Sequence, residues 1–175
     1  MHQNTKTHCP KILQFMAFHE AGHKILYGRF GGNGNAVITK KLDTKSGEVI
    51  WGGQFRVLGS LAHVHEAMRN AGMDLGIELP QNWEVLVGLA GLVAEEIFRG
   101  ETNDPRVIAD EIRERIMAGE ASETDLDLMR IEDIDAFELS YGDVELVCQY
   151  LREDWELVEE EVGFLIEEAL DGVSA

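Results

Sequence analysis

KILQFMAFHEAGHKILYGRF, residues 11–30, is the stretch on which the fold turns. Ile12, Met16, His19, His23, Leu26 and Phe30 recur at spacings of four and three, which predicts one core-facing stripe of a helix. Two histidines four apart lie one above the other on that helix, so both imidazoles reach a single point. Together with Glu20 they spell H-E-x-x-H, in which the histidines hold a metal and the acid between them serves as a proton acceptor beside it. A lone histidine on an apolar face is usually a satisfied core residue. A pair at this spacing with an intervening acid is a candidate metal centre, with His19 and His23 as ligands and Glu20 as general base.

Working outward, the breaker cluster Gly31-Gly32-Asn33-Gly34-Asn35 ends the helix. No Gly-Lys-Ser/Thr follows it, so it is not a phosphate loop. Ala36–Thr39 and Glu48–Trp51 favour β structure and predict a two-stranded ribbon, extended through Gln54–Val57. Beyond Gly59 every periodic segment is helical. Leu61–Ala71 carries His63 and His65, which two-residue spacing points apart, so they are expected on the surface. Trp83–Phe98 is apolar on all sides and predicts a buried central helix with Gly100 as its C-cap. Its last turn holds Glu95 and Glu96, carboxylates that oppose the helix dipole. They are expected either to pair with Arg99 or to hydrogen-bond a metal-bound histidine. A charged helix is expected from Asp104-Pro105 to about Ala118. Another is expected from the cap Ser122 to Leu139, broken by Tyr141-Gly142, and a last amphipathic segment from Val144 to Leu170.

The 175 residues suit one domain with its own core, residues 11–175, behind a flexible polar tail, residues 1–10. The fold class expected is mainly α (α+β), an array of about six helices with a two-stranded β-ribbon. No run is long and apolar enough to cross a bilayer, and Met1–Pro10 lacks the apolar stretch of a secretory signal, so no membrane insertion and a cytoplasmic location are expected. Cys9 and Cys148 form no C-x-x-C pair and read as free thiols in a reducing compartment. The net charge of −18 is uneven: residues 1–58 carry eight Lys/Arg against three Asp/Glu, and residues 59–175 carry seven against thirty. An acidic body repels phosphate backbones, which argues against nucleic acid as a partner. It leaves a solvated helical surface, or a docking face for a basic partner.

A catalytic zinc site takes three protein ligands and leaves a position for water. Spacing alone leaves the third ligand open among Glu95, Glu96, Asp125 and Asp127. Ala17–His23 resembles the metallopeptidase domain of the FtsH-type AAA proteases. So does Gly91-Leu92-Val93-Ala94-Glu95-Glu96, which matches that family's Gly-x-x-Ala-Glu-Glu at the end of a buried helix. Glu120-Ala121-Ser122-Glu123-Thr124-Asp125-Leu126 is similar, with one residue inserted, to its Gly-Ala-Ser-x-Asp-Leu element, whose aspartate is the third zinc ligand. The resemblance covers roughly His19–Met129. It implies an array of helices with a two-stranded ribbon, Zn2+ held by His19, His23 and Asp125, and Asp127 as a register-shifted alternative.

The activity it implies is zinc-dependent hydrolysis of peptide bonds in peptides or unfolded protein. An extended substrate is expected along the ribbon edge near Gln54–Val57. The family's enzymes carry an ATPase module and membrane helices and assemble as hexamers. No Gly-x-x-x-x-Gly-Lys-Ser/Thr motif occurs in this chain. The expectation is therefore a stand-alone peptidase, ATP-independent in cis, with a homo-oligomer or an ATPase in trans as the further partners. The alternative is a catalytically silent peptidase-like domain that binds metal or a partner.

Overall fold

Two helices that pack unusually closely set the frame in the computed structural model, which describes residues 10–42, 44–74 and 76–171. They are α1 (Lys11–Arg29) and α3 (Trp83–Arg99). A Cβ placed on Gly22 of α1 would lie 2.5 Å from the Ala90 carbonyl oxygen of α3 and 2.7 Å from Ala94 Cβ. Small residues at the crossing thus bring the backbones together. α3 is buried without interruption from Leu86 to Glu96, as an all-round apolar helix must be, and ends on Gly100 in the left-handed conformation (φ 69°).

α1 is buried on more than the one predicted stripe. It contacts α3 on one side, the ribbon on another and α7 (Trp155–Asp171) on a third. Leu13, Ala17, Phe18, Ala21, Leu26 and Tyr27 all join the core, whereas Ile12, assigned to the stripe from sequence, is 60% exposed in the first turn. A helix enclosed on three sides has no single apolar face for periodicity to find.

The ribbon consists of β1 (Gly34–Leu42) and β2 (Val49–Val57), antiparallel in the register Gly34↔Val57 to Leu42↔Val49. Ala36, Ile38 and Phe55 face inward and are buried, and Trp51 is half-buried on the same face. α2 (Leu61–Asn70) follows, capped by the Ser60 side chain and anchored by Leu61, its one buried residue. His63 is exposed; His65 is half-buried and donates from Nε2 to the Phe30 carbonyl (2.7 Å), so it fastens α2 to the end of α1.

α4 (Pro105–Met117) starts on the Asp104 cap, with proline at its first position, and presents Ile108, Ala109, Ile112 and Ile116 to the core. The chain then departs from the sequence expectation. The helix expected over Ser122–Leu139 is only α5 (Glu123–Leu128). It stops because Arg130 adopts φ 57°, while the N–H groups of Arg130 and Ile131 bond back to Asp127 and Leu126. That is a Schellman-type ending closed by a non-glycine residue, invisible to a search for glycine stops. The following loop still buries apolar side chains against the core, Ile131, Phe137 and Leu139 among them, which imitates helical patterning.

Tyr141-Gly142, expected to break a helix, begins one. Ser140 accepts from the Asp143 N–H (3.2 Å) and caps α6 (Tyr141–Glu153). The expected single segment Val144–Leu170 is therefore two helices, α6 and α7, separated at Asp154. Arg29 holds that junction, donating from Nη1 to Asp154 (2.8 Å) and from Nη2 to Glu153 (2.5 Å). The break lets α6 cover α3 and α4 while α7 covers α1, where Trp155 stacks on Phe18 (5.4 Å between ring centres). One shared hydrophobic core results, mainly helical with a small β-ribbon. Among the described residues no helix is long and apolar enough to cross a membrane. Cys148 is free and buried in α6; Cys9 and the rest of the expected tail, except Pro10, lie outside the described residues.

Candidate metal centre

His19 and His23 stand one turn apart on α1 and face α3 and α5. Three donor atoms converge between these helices. His23 Nε2 lies 3.0 Å from His19 Nε2 and 3.0 Å from Asp125 Oδ1, and His19 Nε2 lies 3.3 Å from Asp125 Oδ2. Among the described residues no other set of three His, Cys, Asp or Glu side chains is grouped this closely. Asp127 is exposed and belongs to no such group, and neither Glu95 nor Glu96 is part of it.

Each imidazole is held from behind. His19 Nδ1 donates to Glu95 Oε1 (2.6 Å) and His23 Nδ1 donates to the Val87 carbonyl (2.6 Å). A carbonyl and a carboxylate oxygen accept, so each Nδ1 carries a proton and each Nε2 is turned toward the common centre. Glu95 and Glu96 are themselves gripped by Arg115 at the end of α4. Its Nη2 donates to Glu95 (2.7 Å), its Nη1 to Glu96 (2.9 Å) and its Nε to Glu120 (3.1 Å). Of the two expectations for these acids, Glu95 takes the bond to histidine, while Glu96 also approaches Arg99 (3.5 Å). Arg115 was not anticipated. Its signal is its place in α4, seven residues after Ile108 and three after Ile112, a cation within an otherwise apolar stripe.

Asp125 arrives by local helix chemistry. The Ser122 Oγ accepts the Asp125 N–H (3.1 Å) and the Asp125 carboxylate accepts the Ser122 N–H (3.2 Å), a capping box that fixes the first turn of α5. α5 docks on α3 at Gly88, where a Cβ would lie 2.8 Å from Met129 Cγ and 2.9 Å from Leu128 Cβ. One turn along α3, a Cβ on Gly91 would lie 2.5 Å from His23 Nε2 and 2.7 Å from His19 Nε2. Glycine at that position is what leaves the two nitrogens their space.

The electrostatics follow from burial and close pairing. Burial alone lowers the His19 pKa, but its bonds to Asp125 and Glu95 prevail and push it up to about 10. Burial raises the Asp125 pKa, and the two histidines more than reverse this, leaving it well below the usual carboxylate range. Glu95 is likewise lowered: burial opposes the charge, and His19 and Arg115 outweigh it. Glu20 goes the other way. Burial raises its pKa, and the attraction of His19 and His23 only partly offsets this. Gly53 of β2 lies directly against the Glu20 carboxylate, leaving no room for a side chain there.

Two imidazole nitrogens and one carboxylate oxygen form a donor set suited to zinc. Ligand bonds of about 2.0–2.1 Å in a tetrahedron place neighbouring donor atoms about 3.3–3.4 Å apart. The observed separations of 3.0–3.3 Å lie close to that. The residues present therefore fit a zinc ion with an open position. Beside them a cleft of about 410 Å³ runs between the ribbon and α5, with Glu20, His23 and Asp125 in its lining. Comparison with protein-family models, curated proteins and solved structures finds no match to this chain.

Proposed function

We propose that this chain is a zinc-dependent metallopeptidase that hydrolyses peptide bonds. The observation that carries the reading is the convergence of His19 Nε2, His23 Nε2 and an Asp125 oxygen near a buried Glu20, with Glu20, His23 and Asp125 in the lining of a cleft. The resemblance to FtsH-type peptidase domains and the donor chemistry point the same way.

In this reading His19, His23 and Asp125 hold the ion. Bound zinc supplies Lewis-acid chemistry, polarising a carbonyl and making water more acidic. Glu20 receives a proton from the attacking water as the water oxygen bonds to the carbonyl carbon. It then returns that proton to the amine nitrogen as the C–N bond breaks. A pKa raised by burial suits this exchange, because a stronger carboxylate base lies nearer the operating pH. Glu95 and the Val87 carbonyl hold the imidazole planes, and Arg115 holds Glu95. The peptide or unfolded segment to be cut lies in the cleft against the ribbon.

The test couples metal analysis with cleavage of a quenched fluorescent peptide by wild type and Glu20→Gln. We expect both proteins to retain equal zinc, and the variant to lose activity by about 10²-fold or more, the scale of a general base. Zinc retained with no cleavage by either protein would instead identify a silent metal-binding domain. Equal cleavage by both would remove Glu20 from the mechanism.

A further inference from the structure

We propose that the cleft recognises an extended acidic peptide, with Lys41 and Arg56 of the ribbon as the side chains that select its carboxylates. The bound segment is a substrate only if the peptidase reading holds, whereas the charge preference stands on the ribbon itself.

The register puts both cations on one face. Val37 pairs with Gln54, Thr39 with Gly52, Lys41 with Ile50 and Asn35 with Arg56. Directly opposed residues share a face and alternate residues along a strand return to it, so Lys41 and Arg56 stand on the same side as Val37, Thr39 and Gln54. All five of these residues line the cleft that also holds Glu20 and Asp125. Lys41 and Asn35, the partner of Arg56, are six residues apart on β1, about 20 Å of strand at roughly 3.3 Å per residue. An extended peptide of about six residues spans the same length, so the cations mark the two ends of a neutral cleft wall.

Neither cation is neutralised among the described residues of the chain. Arg29, Arg99, Arg115, Arg130 and Lys24 all have carboxylate partners. Among the described residues Lys41 and Arg56 have none; Arg56 donates only to Gln54 of its own strand (2.7 Å). Both are exposed. The ribbon is locally reversed in charge: residues 34–57 carry four Lys/Arg against two Asp/Glu. At physiological ionic strength the screening length is about 8 Å, so a ligand in the cleft feels Lys41 and Arg56 more strongly than the distant acidic helices. On the opposite wall α5 offers Ser122, Thr124 and Leu128, while its exposed acids Glu123 and Asp127 do not line the cleft.

The experiment measures anisotropy of short fluorescein-labelled peptides that share an apolar centre and carry Glu, Gln or Lys on both flanks. It uses metal-free protein, which cannot consume them. We expect the Glu peptide to bind about tenfold tighter than the Lys peptide at low salt, with the difference shrinking as salt is added. Lys41→Glu/Arg56→Glu should invert the order, and Lys41→Gln/Arg56→Gln should abolish it, with thermal melts checking that each variant folds. Equal affinities, an order unchanged by charge reversal, or no binding of any peptide overturns the proposal. Cleavage of the Gln peptide by zinc-loaded wild type separates the two readings. Cleavage without charge preference removes the acidic ligand and leaves the peptidase, whereas charge-dependent binding without cleavage does the reverse.

Discussion

Gly91 shows how much of the candidate centre depends on a side chain that is not there. Alanine is the better helix former by about 1 kcal/mol, so glycine in the middle of buried α3 is locally unfavourable. Its Cβ would enter the space of both Nε2 nitrogens, at 2.5 and 2.7 Å, on imidazoles whose Nδ1 groups are already bonded to Glu95 and the Val87 carbonyl. Gly91→Ala should therefore cost about 1–3 kcal/mol of stability, the usual range for overpacking, and lower zinc affinity by about 10-fold or more, a loss of the size seen when ligand orientation is disturbed. Competition with a chromogenic chelator, alongside a thermal melt, measures both quantities. Unchanged affinity would mean that the histidines do not meet at a metal. At this scale the sequence was legible where chemistry is periodic. His19, Glu20 and His23 lie within five residues, and helical spacing alone brings the two imidazoles together. Arg115 and the Val87 carbonyl act on them from α4 and α3, and only tertiary packing makes those relations.

The elements repeat the lesson with a different glycine. Gly22 lies on α1 opposite Ala90, where an added Cβ would sit 2.5 Å from a backbone carbonyl oxygen. A helix carbonyl cannot shift by itself, so α1 and α3 must separate. Gly22→Ala should cost about 1–3 kcal/mol of stability, the usual range for overpacking, although helix propensity alone predicts a gain. Chemical denaturation gives the sign directly; a stabilised variant would show that the helices tolerate wider spacing. The ribbon, α2, α3 and α4 were legible because alternation, caps and glycine stops all agreed for them. α5 was misjudged in length because Arg130 ends it in a conformation that glycine usually signals. The division between α6 and α7 was missed because the apolar pattern runs straight through it, and the partner that meets Asp154 at the turn is Arg29 of α1. Neither signal exists within the local sequence.

At the scale of the whole molecule, the centre joins parts of the chain that are far apart. His23 and Asp125 are more than a hundred residues apart in sequence, and α5, which carries Asp125, is a helix of six residues. So short a helix is marginal by itself. It stays in place through its capping box, its contact with Gly88 and the pairing of Asp125 with the two histidines. A ligand that binds only the folded chain stabilises it by mass action, about 2.7 kcal/mol at a hundredfold excess over Kd. For a chain of this size that corresponds to a rise in Tm of roughly 5–11 °C. We therefore expect zinc to raise the melting temperature by that order, and excess chelator to return it to the metal-free value. Asp125→Asn keeps the size of the side chain and weakens a ligand, so it should reduce the zinc-dependent rise. Asp127→Asn, on an exposed residue outside the group, should leave the rise intact. Scanning calorimetry of the three proteins with and without zinc separates these cases. An equal rise in all three would place the ion somewhere other than between α1 and α5, and no rise in wild type would remove zinc as the ligand of this centre.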